Sequence, residues 1–173
     1  MYKNRSGKVY LLLMVDIGEY EALARETGVY KDIEIEILKE SLSSWEKRPN
    51  EPYTVLEIRD GKILAAFLVL LHEEDSDYSY TIQTICVDPS YRETGVVDKL
   101  LDGLEIESLK LRPSAILRFE LSTEKERALG LGVLESRGYG LIGHIPDFYA
   151  KGSDYFMYAK IIHRRNPGER GEE

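Results

Sequence analysis

Cysteine is nearly absent from this chain of 173 residues, which contains only Cys86. A single cysteine excludes an intramolecular disulfide and suits a reducing compartment, so we predict a cytoplasmic location. Because Cys86 lies within an apolar segment, we interpret it as a small core residue rather than a nucleophile. Histidine is also scarce, and its three copies show no metal-ligand spacing, so we expect no metal site.

Long apolar runs are lacking as well. No segment approaches the ~20 apolar residues that a membrane-spanning helix needs, so we expect no membrane insertion. The apolar run at residues 9–15 follows several basic residues, but it is short and lacks a small-residue cleavage pattern. We therefore predict that residues 8–15 form a first strand rather than a signal peptide.

Basic residues are fewer than acidic ones, 23 against 31, which gives a formal net charge of -8. Affinity for a polyanion depends on clustered lysine and arginine, so this balance argues against nucleic acid as a partner. A basic or neutral substrate is easier to accommodate. The length suffices for one well-buried core, so we predict a single domain over residues 1–163 and a flexible charged tail over residues 164–173.

The most informative stretch is the segment at residues 82–101. Residues 82–87 are apolar and rich in β-branched side chains, which predicts a strand, and Asp88-Pro89-Ser90 provides turn chemistry at its end. From Val96 onward the apolar residues recur at helical spacing. The loop between them contains Gly95, and a glycine next to the free N–H groups of a helix start makes a natural cradle for a pyrophosphate. An ordinary strand–turn–helix is the alternative interpretation.

The sequence VDPSYRETGVVDKLL resembles the acetyl-CoA-binding motif of the GNAT acyltransferases, V-D-P-x-[YF]-[QR]-x-x-G-x-[GA]. Val-Asp-Pro, Tyr91, Arg92 and Gly95 match, whereas Val97 stands where the family usually has glycine or alanine. The resemblance implies acetyl-CoA as cosubstrate, with Val97 placing a bulkier side chain beside the phosphates. It implies that the cosubstrate is held by Ile85, Cys86, Val87, Arg92, Glu93, Thr94, Gly95, Val96, Val97 and Asp98.

The patterns along the rest of the chain predict a mixed α/β (α+β) sheet protein. Asp60-Gly61, between two apolar runs, is a strong hairpin signal. The predicted strands are residues 8–15, 52–59, 62–71, 78–87, 114–121, 139–145 and 155–162. Three predicted helices begin at residues 18, 33 and 96, and a fourth spans residues 124–137. Residues 146–154 are expected to form a loop.

This order is also that of the GNAT fold, a central mixed sheet of about seven strands with helices on both faces and splayed central parallel strands. The segments ARETGVY and RGYGLIGHIPDFYAKGSDYFMYAK resemble the branch near the ribosomal-protein alanine acetyltransferases. The resemblance implies N-acetyl transfer from acetyl-CoA to a small-molecule amine or a protein N-terminus. A homodimer is compatible with it. The rival interpretations are a non-catalytic acyl-CoA-binding module and a structural domain without a cofactor.

Two side chains are candidates for catalysis. Glu120 is a carboxylate within the apolar strand SAILRFEL, and a half-buried glutamate there would suit a general base near neutral pH. The resemblance agrees, because the alanine acetyltransferases carry a catalytic glutamate on the corresponding strand. The alternative is that Glu120 faces solvent and pairs with Arg118 or Lys125.

The usual acid of the family, a tyrosine in F-Y-x-x-x-G-[FY], has no counterpart in this chain. Aligning Gly138-Tyr139 with the end of that motif places Leu134 at the tyrosine position. Tyr149 lies in a segment that resembles the lip of the family's substrate pocket. We therefore predict Tyr149 as the group that donates a proton to the leaving thiolate.

Overall fold

A computed structural model describes residues 16–110 and 112–164 of the chain. Within them, six strands form one mixed sheet in the order β1-β2-β3-β4-β6-β5. The strands are β1 (Tyr53–Asp60), β2 (Ile63–His72), β3 (Ser79–Val87), β4 (Ser114–Ser122), β5 (Gly140–Ala150) and β6 (Ser153–His163). The predicted first strand at residues 8–15 and the tail from residue 165 lie outside the described residues.

Five α-helices connect or cover these strands within the described residues, and a short 3-10 helix (Pro89–Tyr91) follows β3. The α-helices are α1 (Ile17–Glu26), α2 (Asp32–Lys47), α3 (Val96–Ser108), α4 (Thr123–Leu129) and α5 (Val133–Ser136). The single helix predicted for residues 124–137 is wrong, because Gly130 and Gly132 adopt φ angles of 112° and 74° and interrupt it. Side chains other than glycine rarely adopt these angles, so the two glycines end one helix and start another.

Helices cover both faces of the sheet, as predicted. Alternate side chains of one strand point to opposite faces, so Phe67 joins a core beneath α1 and α2 whereas Leu68 joins a core beneath α3. Cys86 belongs to the first of these cores and is 1% exposed, which confirms its interpretation as a core residue. Burial raises the pKa of its thiol to about 12, so the thiol stays protonated at neutral pH.

The parallel strands β3 and β4 part within the sheet. Residues 79–82 of β3 pair with residues 116–119 of β4. Beyond that point β3 stays paired with β2 as far as Val87, and β4 stays paired with β6 as far as Ser122. Within the described residues, a gap therefore opens between the carboxyl ends of the two central strands, which confirms the predicted splay.

The last two strands are longer than the sequence predicted. The loop expected at residues 146–154 is wrong, because β5 runs on to Ala150 and β6 begins at Ser153. Ala150 pairs with Ser153 across a tight turn in which Gly152 has a φ of 78°. Asp147, with a φ of 53°, lies where the pairing of the two strands is irregular. This irregularity allows Pro146 to be part of an edge strand.

The packing of α3 against the sheet predicts a large effect of one core substitution. Leu100 is 0% exposed, so Leu100→Ala should lower the free energy of unfolding by about 2–5 kcal/mol through lost burial and a cavity. Ile106, on the same helix, is 66% exposed, so Ile106→Ala should change it by less than ~0.5 kcal/mol. Urea denaturation measures both, and equal losses would contradict the packing described for α3.

Candidate active site

The gap between β3 and β4 exposes the backbone of Ile85 to a side chain from a distant segment. The Tyr30 hydroxyl donates a hydrogen bond to the carbonyl oxygen of Ile85 at 2.7 Å and accepts one from its N–H at 3.2 Å. Tyr30 precedes α2, and its ring lies 4.7 Å from the ammonium group of Lys125 on α4. The sequence indicated Ile85 as a pantetheine-binding residue but did not indicate that Tyr30 already occupies its polar groups.

The loop before α3 has the geometry of an anion cradle. Gly95 immediately precedes α3 and has a φ of 74°, and a Cβ atom built there would have no neighbour within 4 Å. The first described bond of α3 runs from the Lys99 N–H to the Gly95 carbonyl, which leaves the preceding N–H groups free of helical partners. The Nε atom of Arg92 is buried and lacks a hydrogen-bond partner within the described part of the chain. Free amides, open space and a guanidinium nitrogen without a partner fit a pyrophosphate.

Val97 does not obstruct this cradle. The side chain is 4% exposed and belongs to the core beneath α3, together with that of Val96. The Val97 side chain therefore packs against the sheet in the first turn of the helix, and its position beside the phosphates stays a prediction. A larger residue than glycine or alanine is accommodated by the core.

Acidic side chains flank the cradle and are partly compensated. The acidic Glu93 and Asp98 and the neutral Thr94 are exposed around it. A guanidinium nitrogen of Arg137 lies 3.9 Å from an Asp98 carboxylate oxygen, and Arg137 also pairs with Asp102 in the next turn of α3. The pKa of Arg137 is raised, first by its hydrogen bond to Asp102. Arg137 thus places a permanent positive charge near the start of α3.

A solvent-open cavity of about 470 Å³ lies beside Tyr30. Its wall is formed by the connection between α1 and α2 with the start of α2, by the junction of β4 and α4, and by the turn between β5 and β6 with the residues beside it. The residues that line it are Gly28, Val29, Tyr30, Lys31, Ile33, Glu34, Ser122, Glu124, Lys125, Tyr149, Ala150 and Ser153. Lys125 pairs with Glu34 and so connects α4 with α2 across the cavity. The volume is in the range of small-molecule sites.

Tyr149 lies in this cavity wall and is 39% exposed. Its ring centroid is 5.7 Å from the Lys31 ammonium nitrogen. Partial burial raises the pKa of Tyr149, and the negative charges of Glu34 and Glu120 raise it further. The phenol is therefore protonated at neutral pH and lies within electrostatic reach of two carboxylates.

Glu120 is exposed on β4, so the predicted half-burial is wrong. The face of β4 that carries Glu120 contributes no side chain to the core beneath α1 and α2, which explains its exposure. Arg118 pairs with Glu73 at 3.0 Å, and Lys125 pairs with Glu34, so the two cations expected near Glu120 are engaged elsewhere. The neighbour of Glu120 is Tyr155, whose pKa is raised first by burial and then by the charge of Glu120.

Leu134 packs in the core beneath α3 and is 4% exposed. The position that aligns with the family's tyrosine therefore points into the protein interior in this chain. A tyrosine introduced there would overfill the core instead of restoring an acid. Tyr30 is the tyrosine that the structure places in the gap, and no local sequence signal marks it.

Comparisons with known proteins identify the fold. No protein-family model matches the chain. A GNAT-family protein from Desulfovibrio desulfuricans has a TM-score of 0.74 and 17% identity, covering 90% of this chain and 97% of that one. The ribosomal-protein-S18-alanine N-acetyltransferase of Escherichia coli has a TM-score of 0.70 and 19% identity, covering 94% and 98%. An aminoglycoside 6'-N-acetyltransferase complexed with coenzyme A has a TM-score of 0.64 and 17% identity, covering 87% and 92%.

The chain therefore has the fold of the GNAT acetyltransferases, as the strand–loop–helix motif predicted. An uncharacterised protein of Mycobacterium leprae is 36% identical over 81 residues, which are 46% of this chain. That match spans 21% of the length of the relative.

None of the helices in the described residues is long and apolar enough to cross a membrane.

Proposed function

We propose that this protein is an N-acetyltransferase that moves an acetyl group from acetyl-CoA to a primary amine. The observation that carries the proposal is the parting of β3 from β4 next to the anion cradle before α3. A gap of this kind offers strand-like hydrogen bonds to an extended pantetheine arm, and the cradle offers free amides to its phosphates. The solved acetyltransferases of the same fold, one of them complexed with coenzyme A, support it.

The residues of this chain divide the binding work between backbone and side chains. Ile85, Cys86 and Val87 would pair through their backbone with the pantetheine arm, and Arg92 with residues 93–98 would hold the pyrophosphate. When bound, acetyl-CoA supplies a thioester carbonyl to an attacking amine. The cavity of about 470 Å³ beside Tyr30 would receive that amine, from a small molecule or a protein N-terminus.

Glu120 and Tyr149 would move the protons. An amine is mostly protonated at neutral pH and must lose a proton before it attacks. Glu120, exposed on the open face of β4, would accept that proton directly or through one water. Tyr149 remains protonated and would donate to the leaving thiolate. The protein, acetyl-CoA and the acceptor amine would form one ternary complex, in which the amine attacks the thioester directly.

A second candidate function, a non-catalytic acyl-CoA-binding module, is favoured by one specific observation. Leu134 replaces the family's tyrosine and is buried in the core. Binding of acetyl-CoA without turnover of any amine would support this second function over the first.

Acetyl-CoA should bind and stabilise the protein. Ligand at a hundredfold excess over its dissociation constant adds about 2.7 kcal/mol to the free energy of unfolding, which thermal unfolding detects. Arg92→Gln removes a charged donor from the cradle and should raise the dissociation constant of acetyl-CoA about tenfold. Arg112→Gln, an exposed arginine paired with Asp77 outside the site, is the matched control and should leave it unchanged. Unfolding that is insensitive to acetyl-CoA would contradict the proposal.

Glu120→Gln should lower turnover about 100-fold at neutral pH, because the amide keeps the shape but cannot accept the proton. Affinity for acetyl-CoA should be unaffected. Steady-state rates with a panel of primary amines measure the first quantity, and calorimetric titration measures the second. Glu74→Gln changes an exposed carboxylate between β2 and β3 and serves as the control. Equal rates for the Glu120 and Glu74 variants would remove Glu120 from the mechanism.

Tyr149→Phe should lower kcat about tenfold, less than the usual ~10²–10⁴ of general acid catalysis, because a thiolate leaves readily even without a donor. KM for acetyl-CoA should change little. Tyr78 is 48% exposed and lies just before β3, at the end of that strand away from the gap. Tyr78→Phe is the control and should have no effect on kcat. An unaltered kcat in Tyr149→Phe would assign the proton to water or to another group.

A further inference from the structure

The Tyr30 hydroxyl satisfies both polar backbone groups of Ile85, a residue of β3 that lies beyond the last pair formed with β4. It donates to the Ile85 carbonyl at 2.7 Å and accepts from the Ile85 N–H at 3.2 Å. Buried backbone groups without partners each cost roughly 1–3 kcal/mol. Tyr30 therefore replaces, with a single hydroxyl, the strand that would otherwise pair at this position.

The environment of Tyr30 fixes its ring in this position. The Lys125 ammonium nitrogen lies 4.7 Å from the ring centroid, and Lys125 is itself paired with Glu34. Burial, followed by the neighbouring Cys86, raises the pKa of Tyr30 well above its usual value. The phenol is therefore neutral and able to donate its proton to the Ile85 carbonyl at any physiological pH.

The Ile85 N–H and carbonyl are also the groups that a pantetheine arm would need, if the chain has the proposed function on which this inference rests. The Ile85 N–H has a single proton to donate, so the Tyr30 hydroxyl and a pantetheine arm compete for it. We propose that Tyr30 is an affinity-determining residue of the donor site: its hydroxyl occupies the Ile85 backbone until acyl-CoA displaces it. The observed affinity for acyl-CoA is then lowered by the cost of breaking both Tyr30 hydrogen bonds.

Displacement of Tyr30 also affects the acceptor cavity. Tyr30 lies in the short connection between α1 and α2, and Gly28, Val29 and Lys31 of that connection line the cavity. A shift of Tyr30 away from Ile85 changes the position of a wall residue of this cavity. In this proposal, loading of the donor site therefore also moves one residue of the cavity wall.

Tyr30→Phe tests the competition directly. The variant keeps the ring beneath Lys125 but leaves the Ile85 groups without a partner until acyl-CoA supplies one. We expect the dissociation constant of acetyl-CoA, measured by calorimetric titration, to fall about tenfold relative to the unaltered protein. Tyr20→Phe is the matched control, because it removes a buried tyrosine hydroxyl that bonds Glu57 at 2.5 Å in the same core. It should lower stability without altering the dissociation constant.

Amide hydrogen exchange gives a second readout that does not require activity. The Ile85 amide should exchange faster in Tyr30→Phe than in the unaltered protein, and acetyl-CoA should restore its protection. The ring signals of Tyr30 in the unaltered protein should also shift on addition of acetyl-CoA in an NMR titration. This last measurement does not depend on the folding of any variant.

The outcomes separate this inference from the proposed function. If acetyl-CoA binds but the Tyr30→Phe variant binds it equally or more weakly, or if the Tyr30 ring signals do not shift, the competition is refuted and the proposed function stands. Binding to Tyr30→Phe alone would support the inference strongly. If acetyl-CoA binds neither the variant nor the unaltered protein, the proposed function fails and this inference fails with it.

Discussion

Every polar backbone group that the parting of β3 and β4 releases has to find another hydrogen-bond partner, and the site is arranged around that requirement. Pairing stops at Ile82 on β3, yet the strand continues to Val87. A backbone N–H or carbonyl left alone in a protein interior is costly. The Tyr30 hydroxyl meets the need at Ile85. An extended ligand with amide groups meets it equally well, which is why the gap is suited to pantetheine.

The sheet tolerates the parting because each central strand keeps a partner on its outer side. β2 holds β3 as far as Val87, and β6 holds β4 as far as Ser122. Only the inner groups of both strands are released, so the loss is confined to a few hydrogen bonds. The core beneath α3 spans both strands and includes Ile85 and Leu121. Packing therefore holds the two strands in one sheet while their hydrogen bonding separates.

Charge is distributed unevenly around the gap of this acidic chain. Lys125 and Glu34 form a pair across the cavity, and Tyr149 lies within reach of the charges of Glu34 and Glu120. The exposed carboxylate of Glu120 would attract an ammonium group before it loses its proton. Arg92 and Arg137 lie beside the loop before α3, where Arg137 offsets part of the negative charge of Asp98 and Asp102.

The strand–loop–helix at residues 82–101 was predictable because its signals are local. β-Branched residues, an Asp-Pro turn, a glycine and helical spacing each depend on neighbours a few residues away. The same holds for the hairpin at Asp60-Gly61 and for α1 and α2. Gly130 and Gly132 were also local signals, but the helical pattern on either side of them masked the break.

Other features were decided only by the tertiary structure. The extension of β5 through Pro146 depends on β6, which pairs with Ile145 before this segment of loop-like composition and with Ala150 after it. The exposure of Glu120 depends on which part of the sheet α1 and α2 cover, and alternation along β4 alone could not show it. The contact between Tyr30 and Ile85 joins residues 55 positions apart. This contact exists because β3 loses its parallel partner after Ile82. The length over which two strands stay paired is determined by packing on both faces of the sheet rather than by the composition of either strand.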